Sequence, residues 1–322
     1  MSEQYRQKSL GLSFSGGGVH AWAEAAVYQE LERQNIEVHA VTGTSMGSFL
    51  AAAVASGLSS EEIYEVIKET DEAIHASRLF HHRALLNLFS FRRPMGLVLM
   101  EKLAEVIKPV SRLYNEVMLS DVPKPLAIPA VDIVSRQLIV FSNQPEYFKQ
   151  TFKNAKFYEK DIPLVKACLA SSAFPIVLSP VKVDDYQLVD GGVMMNSPAS
   201  LFSEEYIEHV FAVRIKSEHF FEPITRRMEV GIEAIEMMVG AQEEFTTNTE
   251  AEEYMIKLKL PGSFEFGGSH TIIEAGELFV KENPIDTSSM FIKEEKKRKI
   301  EDNVAITIQK PTTMKDQVSN LW

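Results

Sequence analysis

The sequence predicts an α/β protein built on a mostly parallel sheet, and two observations carry that prediction. Two short apolar segments, LGLSFS at 10–15 and EVHAVT at 37–42, each run into a glycine-bearing turn. Behind the first turn Trp22, Ala23, Ala26, Val27 and Leu31 recur at helical spacing; behind the second, Met46, Phe49, Leu50, Ala53 and Val54 fall at i, i+3, i+4, i+7 and i+8. Strand–helix–strand–helix at that tempo requires right-handed crossovers, which set successive strands parallel.

The first helix is expected to end near Asn35 and the second at Gly57. Ser59-Ser60-Glu61-Glu62 then has the pattern of a capping box that opens a third. Residues 73–100 contain no acidic residue, in a chain whose net charge is −12. Helical signal returns at 95–107, a strand pair is expected over 125–142, and a helix over 161–171. YQLVDGG (186–192) reads as a strand ending in a turn, and HVFAVRI (209–215) and YMIKLKL (254–260) as later strands. Residues 227–253 read as a long acidic helix, with Met237 and Met238 in its core face. The run KEEKKRK near the end reads as a solvated helix. No repeat or linker divides the chain. The expected organisation is a tail at 1–8, one domain at 9–284 with a helical cap-like insertion at 73–125, and a charged extension at 285–322.

Composition narrows the function classes. No apolar run approaches the roughly 18–20 residues of a membrane-spanning helix, and the start MSEQYRQKSL lacks the apolar core of a secretory signal. A single cysteine, Cys168, excludes an internal disulfide and a cysteine-rich metal site. The negative charge argues against general nucleic-acid binding. A cytoplasmic enzyme without metal or cofactor is the expectation.

Gly16, Gly18 and Ala21 satisfy the G-x-G-x-x-A pattern of a dinucleotide loop, but that reading needs an acidic residue at the end of the second strand. Gly43-Thr44-Ser45-Met46-Gly47 stands there instead. This G-x-S-x-G follows an apolar strand and opens an apolar helix, where a nucleophile elbow belongs. The plainer reading is an N-cap serine in a tightly packed helix start. In a parallel sheet both turns reach the same edge, so amides of Gly16, Gly17 and Gly18 would lie beside Ser45 and suit a transient oxyanion. A serine nucleophile needs a base. None of the eight histidines (20, 39, 75, 81, 82, 209, 219 and 270) has a telling local setting. Asp190, ending a strand before Gly191 and Gly192, is the sharper candidate, against an ordinary Asp-Gly turn.

Taken together, Gly16–Gly18, Gly43–Gly47 and Asp190-Gly191-Gly192, with ACLASSAFPIVLSPV (167–181) and DGGVMMNSP (190–198), resemble the patatin-like phospholipases of bacteria. GSFEFGGSHTIIEAGELF (262–279) resembles that family more loosely. The resemblance spans about 9–281 and weakens over 73–125. It implies a three-layer α/β/α fold and hydrolysis of fatty-acyl esters of lipids without an obligatory metal. It also implies a Ser–Asp dyad of Ser45 and Asp190, with Gly16–Gly18 as the oxyanion hole and Gly43, Gly47, Gly191 and Gly192 in support. One departure stands out: His20 and Ala21 occupy places where the family usually has Arg or Lys and then Gly. On this reading an aspartate near its usual pKa of ~4 is a weak base that placement must help.

Residues 78–100, RLFHHRALLNLFSFRRPMGLVLM, interleave four arginines with leucine and phenylalanine. They suit peripheral contact with a lipid surface, and equally an ordinary cap helix with its arginines turned outward. Three functions stand at this point: a lipid acyl hydrolase acting on phospholipid or another fatty-acyl ester; a Ser–His–Asp carboxylesterase using His209, His219 or His270; and a non-catalytic lipid-binding or regulatory protein.

Overall fold

The computed structural model describes residues 5–80, 96–149, 154–217, 227–246, 251–259 and 262–293. Strand β1 (Tyr5–Gln7) leads into β2 (Leu10–Phe14), all five residues of which are buried. A 3-10 turn, Gly18–Glu24, precedes α1 (Ala25–Arg33), which buries Ala25, Ala26, Val27, Tyr28 and Leu31. Strand β3 (Ala40–Gly43) delivers the chain to α2 (Met46–Ala55), a helix buried from Gly47 to Ala55. The expected capping box opens α3 (Ser60–Ser77): the Glu62 amide donates to Ser59 Oγ at 3.3 Å, and the Ser59 amide to Glu62 Oε2 at 2.8 Å. Two short helices follow, α4 (Met100–Ile107) and α5 (Arg112–Asn115).

The strand pair expected at 125–142 is an antiparallel hairpin of β4 (Leu126–Asp132) and β5 (Gln137–Ser142). Then come β6 (Ala155–Phe157), α6 (Leu164–Ser171), β7 (Val181–Val183), β8 (Tyr186–Asp190) and β9 (His209–Ser217). The chain continues through α7 (Arg227–Thr246), β10 (Glu252–Leu258), α8 (Ser269–Glu282) and β11 (Phe291–Lys293).

Nine strands form one sheet in the order β10-β9-β2-β3-β4-β5-β6, with β8 joined to β4 and β7 to β8. From β10 through β4 every pairing is parallel, so the expected class holds. Alternation along the strands sorts the core. Leu10, Leu12, Phe14, Val41, Ile128 and Phe141 join the helices on one face. On the other, Ala127, Leu138 and Val140 pack with Phe148, Leu201 and Phe202, carried by 3-10 turns and loops.

The sequence misplaced some boundaries. Residues 251–253, expected to close the long helix, are instead a bend and the start of β10, which begins before Tyr254. The two ends also pack: β1 pairs antiparallel with β11, and Ile285 and Met290 are buried, so position 285 does not mark the edge of the packed body. Among the described residues no helix is long and apolar enough to cross a membrane.

Candidate active site

Ser45 occupies the turn from β3 into α2 with φ 53° and ψ −130°. Non-glycine residues rarely adopt positive φ, and the cost is about 1–3 kcal/mol unless the surroundings compel it. Here they do. The Ser45 amide donates to Ser171 Oγ at 2.9 Å, and its carbonyl accepts from the Ser48 hydroxyl at 2.6 Å. The neighbouring Thr44 hydroxyl donates to the Met195 carbonyl at 2.8 Å. Helix α2 leaves so close to the end of β2 that a Cβ on Gly47 would stand 2.3 Å from the Ser15 carbonyl oxygen. Glycine at 47 lets helix and strand touch backbone to backbone, and that contact sets the sharpness of the turn. A Cβ on Gly43 would meet the Gly47 carbonyl at the same distance.

Asp190 reaches Ser45 by another route. Strand β3 pairs in parallel with Leu126 and Ala127 of β4, while β8 pairs antiparallel with Ala130, Val131 and Asp132. Since β5 takes the opposite edge of β4 over 127–132, β3 and β8 share one edge and run head-on toward each other. They stop on either side of Pro129. Ser45 lies just past the end of one strand and Asp190 ends the other. The Ser45 hydroxyl donates to Asp190 Oδ2 at 2.6 Å, and Oδ1 accepts the Gly192 amide at 2.7 Å. Gly191 passes against the Pro129 carbonyl.

Asp190 is 2% exposed. Burial pushes its carboxyl up to about 7, against the opposing pull of the hydrogen bonds from Ser45 and Gly192. The expectation of a weak base near pH 4 is thereby corrected. Taken out of bulk water by burial, the carboxylate is destabilised, and its proton affinity rises.

The glycine loop abuts the elbow: a Cβ on Gly16 would lie 3.1 Å from Ser45 Cβ. The three glycines are not equivalent. The Gly16 amide donates to the Asn196 carbonyl at 3.1 Å, and Asn196 Nδ2 donates back to the Gly16 carbonyl at 3.2 Å, so Gly16 is an engaged structural link rather than a waiting donor. Gly18 has φ +57°, and Ser263 packs so near that its carbonyl oxygen would be 2.1 Å from an added Cβ. Among the described residues no acceptor takes the amide of Gly17 or Gly18. Behind the loop, fully buried Glu24 accepts from the Ser15 amide at 2.9 Å and hydroxyl at 2.5 Å, and Ser15 Oγ accepts the Ile215 amide at 3.2 Å. Sequence reasoning missed Asn196, Ser171 and Glu24. Asn196 and Ser171 left a signal, since they stand in the quoted DGGVMMNSP and ACLASSAFPIVLSPV; Glu24 left none.

Two cavities meet at Ser45. The wider, about 530 Å³, is lined by Gly16–Gly18, His20, Asp190, Asn196, Arg214, Lys216 and one side of α7. The narrower, about 50 Å³, is almost wholly apolar and runs between α2, α3 and α4 past Met46, Phe49, Ile63, Ile67 and Leu103. Gly18, Ser263 and Phe264 border both.

Of the described histidines, His20 lines the wider cavity; none stands between Ser45 and Asp190. His39 accepts the Leu10 amide, His75 meets the Phe266 carbonyl, His209 lies 3.1 Å from Glu252, and His270 is 3.6 Å from Glu274. His81, His82, His219 and most of the basic stretch, 81–95, lie outside the described residues. The expectation that Met237 and Met238 belong to the core is overturned: they are 71% and 72% exposed. Helix α7 packs on the body through its other side. Among the described residues no group of three or more His, Cys, Asp or Glu is placed to hold a metal ion.

The chain is 30% identical over 209 residues to the uncharacterized protein YqhO of Bacillus subtilis, covering 63% of this chain and 69% of that one. It is 29% identical over 210 residues to a cGAMP-activated phospholipase of Vibrio cholerae, covering 58% of this chain and 55% of that one, so the chain spans about half of that enzyme. Among solved structures, VipD from Legionella pneumophila aligns with 90% of this chain and 68% of its own at a TM-score of 0.49 and 14% identity. The family model for patatin-like phospholipase matches residues 12–203, a segment that holds the glycine loop, the serine elbow and Asp190. That segment is more than half of its length, and the chain belongs to the patatin-like phospholipase family.

Proposed function

We propose that the protein is a serine-dependent lipid acyl hydrolase of the phospholipase A or esterase type, working through a Ser45–Asp190 dyad. The observation that carries this reading is the 2.6 Å hydrogen bond between a serine held at positive φ and a buried aspartate whose proton affinity lies near neutrality. The family, and a relative described as a phospholipase, support the lipid ester as substrate.

Ionised Asp190 takes the Ser45 proton as Oγ bonds to the ester carbonyl carbon, and the carbonyl π pair moves onto its oxygen. The amides of Gly17 and Gly18, which have no acceptor among the described residues, are the donors for that oxyanion; Gly16 fixes the loop through Asn196. When the tetrahedral adduct collapses, the alcohol or lysolipid leaves with the proton held by Asp190. Asp190 then takes a proton from water as the water oxygen attacks the acyl-serine. The fatty acid departs, and the proton returns to Ser45 Oγ. The narrow cavity is apolar and, at about 50 Å³, suits only the first carbons of an acyl chain beyond the carbonyl. The wider one, with Arg214 and Lys216 in its wall, suits the polar remainder of a lipid. Because the serine hydroxyl donates directly to the carboxylate, the mechanism needs no histidine.

The test is labelling of the purified protein with a fluorophosphonate. Labelling that disappears in Ser45→Ala and falls about 10³-fold in rate in Asp190→Asn supports the dyad. A folded wild-type protein that takes no label overturns the hydrolase reading. It would favour the non-catalytic function, which the His20–Ala21 departure already allows.

A further inference from the structure

Helix α7 carries an apolar stripe on the side turned away from the body. Val230, Ala234, Met237, Met238 and Ala241 fall at i, i+4, i+7, i+8 and i+11, which is one face of a helix, and all five are exposed. Val230 is 55% exposed, and the two methionines are the most exposed large apolar side chains among the described residues. From 230 to 241 no residue is fully buried. An apolar stripe normally faces a core; this one faces out.

Two further facts say what covers it. The stripe is continuous with the mouth of the wider cavity, because Met237 is at once exposed and part of the cavity wall. Other exposed apolar residues extend it around that mouth: α7 packs against the turn at 191–193, which holds Val193, and Gly231 sits beside Ile176, each of these two side chains being 37% exposed. The stripe thus belongs to the rim through which substrate enters. The charge is also informative. Between 230 and 241 the only charged residues are Glu233 and Glu236, so this stretch of α7 itself offers an anionic surface no cation; Arg227 stands in the first turn of the same helix.

We propose that the outward face of α7 is the docking surface for an uncharged or zwitterionic lipid interface, with Val230, Met237 and Met238 entering the acyl boundary. This rests on the lipid-hydrolase reading of the site and specifies where the substrate phase meets the protein. Large flexible methionines suit an irregular hydrocarbon boundary, and burying them there supplies binding without charge.

The test uses Val230→Glu/Met238→Glu, two positions outside the cavity wall, in the full-length protein. Vesicles of pure phosphatidylcholine are sedimented with Ser45→Ala protein so that they stay intact. The expected result is binding that is insensitive to salt and that falls at least about tenfold in partition when both glutamates are present. In the Ser45 background the double variant should hydrolyse a monomeric water-soluble ester at the parent rate and lose turnover of the vesicles. Undiminished vesicle binding by the double variant overturns the proposal. So does binding that requires anionic lipid and vanishes in salt, which would move the contact to the basic stretch. A wild-type dimer broken by the two glutamates, with no vesicle binding, overturns it in favour of a second copy. If the wild type fails on the soluble ester, the hydrolase reading fails, while sedimentation still judges the surface.

Discussion

The elbow at Ser45 and helix α7 stand on two sides of one cavity and are built in opposite ways. At Ser45 the amide, carbonyl and hydroxyl are all engaged, the neighbouring helix is buried from Gly47 to Ala55, and two glycines bring backbones into contact. Along 230–241 of α7 no residue is fully buried, and its largest apolar groups face solvent. The difference separates two requirements. Reacting atoms held within tenths of an ångström need a frame that overdetermines them, whereas a surface that meets a substrate phase must keep its apolar groups out of the core.

The sharpest way to break this contrast is Asp190→Asn. On the rigid side it should lower turnover about 10³-fold, the order seen when one essential polar partner is removed, as read in a steady-state ester assay. The same substitution should raise stability. A carboxyl whose folded pKa is raised to about 7 favours the native state most when protonated, below the unfolded value of ~4, and that contribution is lost as pH climbs through 7. The gain in Asp190→Asn should therefore be roughly 2–4 kcal/mol at pH 8 and smaller at pH 5, as measured by urea unfolding.

The pH profile is the next largest effect. With Asp190 as the base, kcat/KM should fall about tenfold per pH unit below 7 and level off above it. A midpoint near 4 would show that the carboxyl is solvated during turnover.

Gly47→Ala comes third. Its methyl would collide with the Ser15 carbonyl, and prying helix from strand should cost about 2–3 kcal/mol in a denaturant titration. Last and smallest, Ala241→Ser on the exposed side of α7 should change stability by no more than about 0.5 kcal/mol. A larger loss would mean that α7 is packed more firmly than its exposure shows.

Much of the parallel half was legible beforehand. LGLSFS and EVHAVT, with the helical periodicities behind them, place β2, β3 and the two turns on one sheet edge, and the capping box at Ser59 fixes the start of α3. Asp190 was legible as a residue but not as a position. Its approach depends on β8 running antiparallel along the edge of β4, and no local period reveals which strand a third one joins. The unequal glycines were hidden for a related reason, since Gly16 is engaged by Asn196, distant in sequence. The Met237–Met238 pair was misread because apolar residues at helical spacing look alike whether they face a core or solvent. Burial of Asp190, and hence its raised proton affinity, could not be read from a dipeptide that usually marks a solvated turn.

The head-on meeting of β3 and β8 makes β4 a gauge block. The span between Ser45 and Asp190, the proposed nucleophile and base, is counted out in residues of a third strand that contributes neither of them. Each residue of that strand is worth about 3.3 Å and a reversal of face. A slip of one position in the pairing of β8 with β4 would carry Asp190 beyond reach of Ser45 without changing a single residue of the site. Descendants of this chain should tolerate substitution along the β7–β8 hairpin far better than a single insertion between β8 and the turn at Gly191.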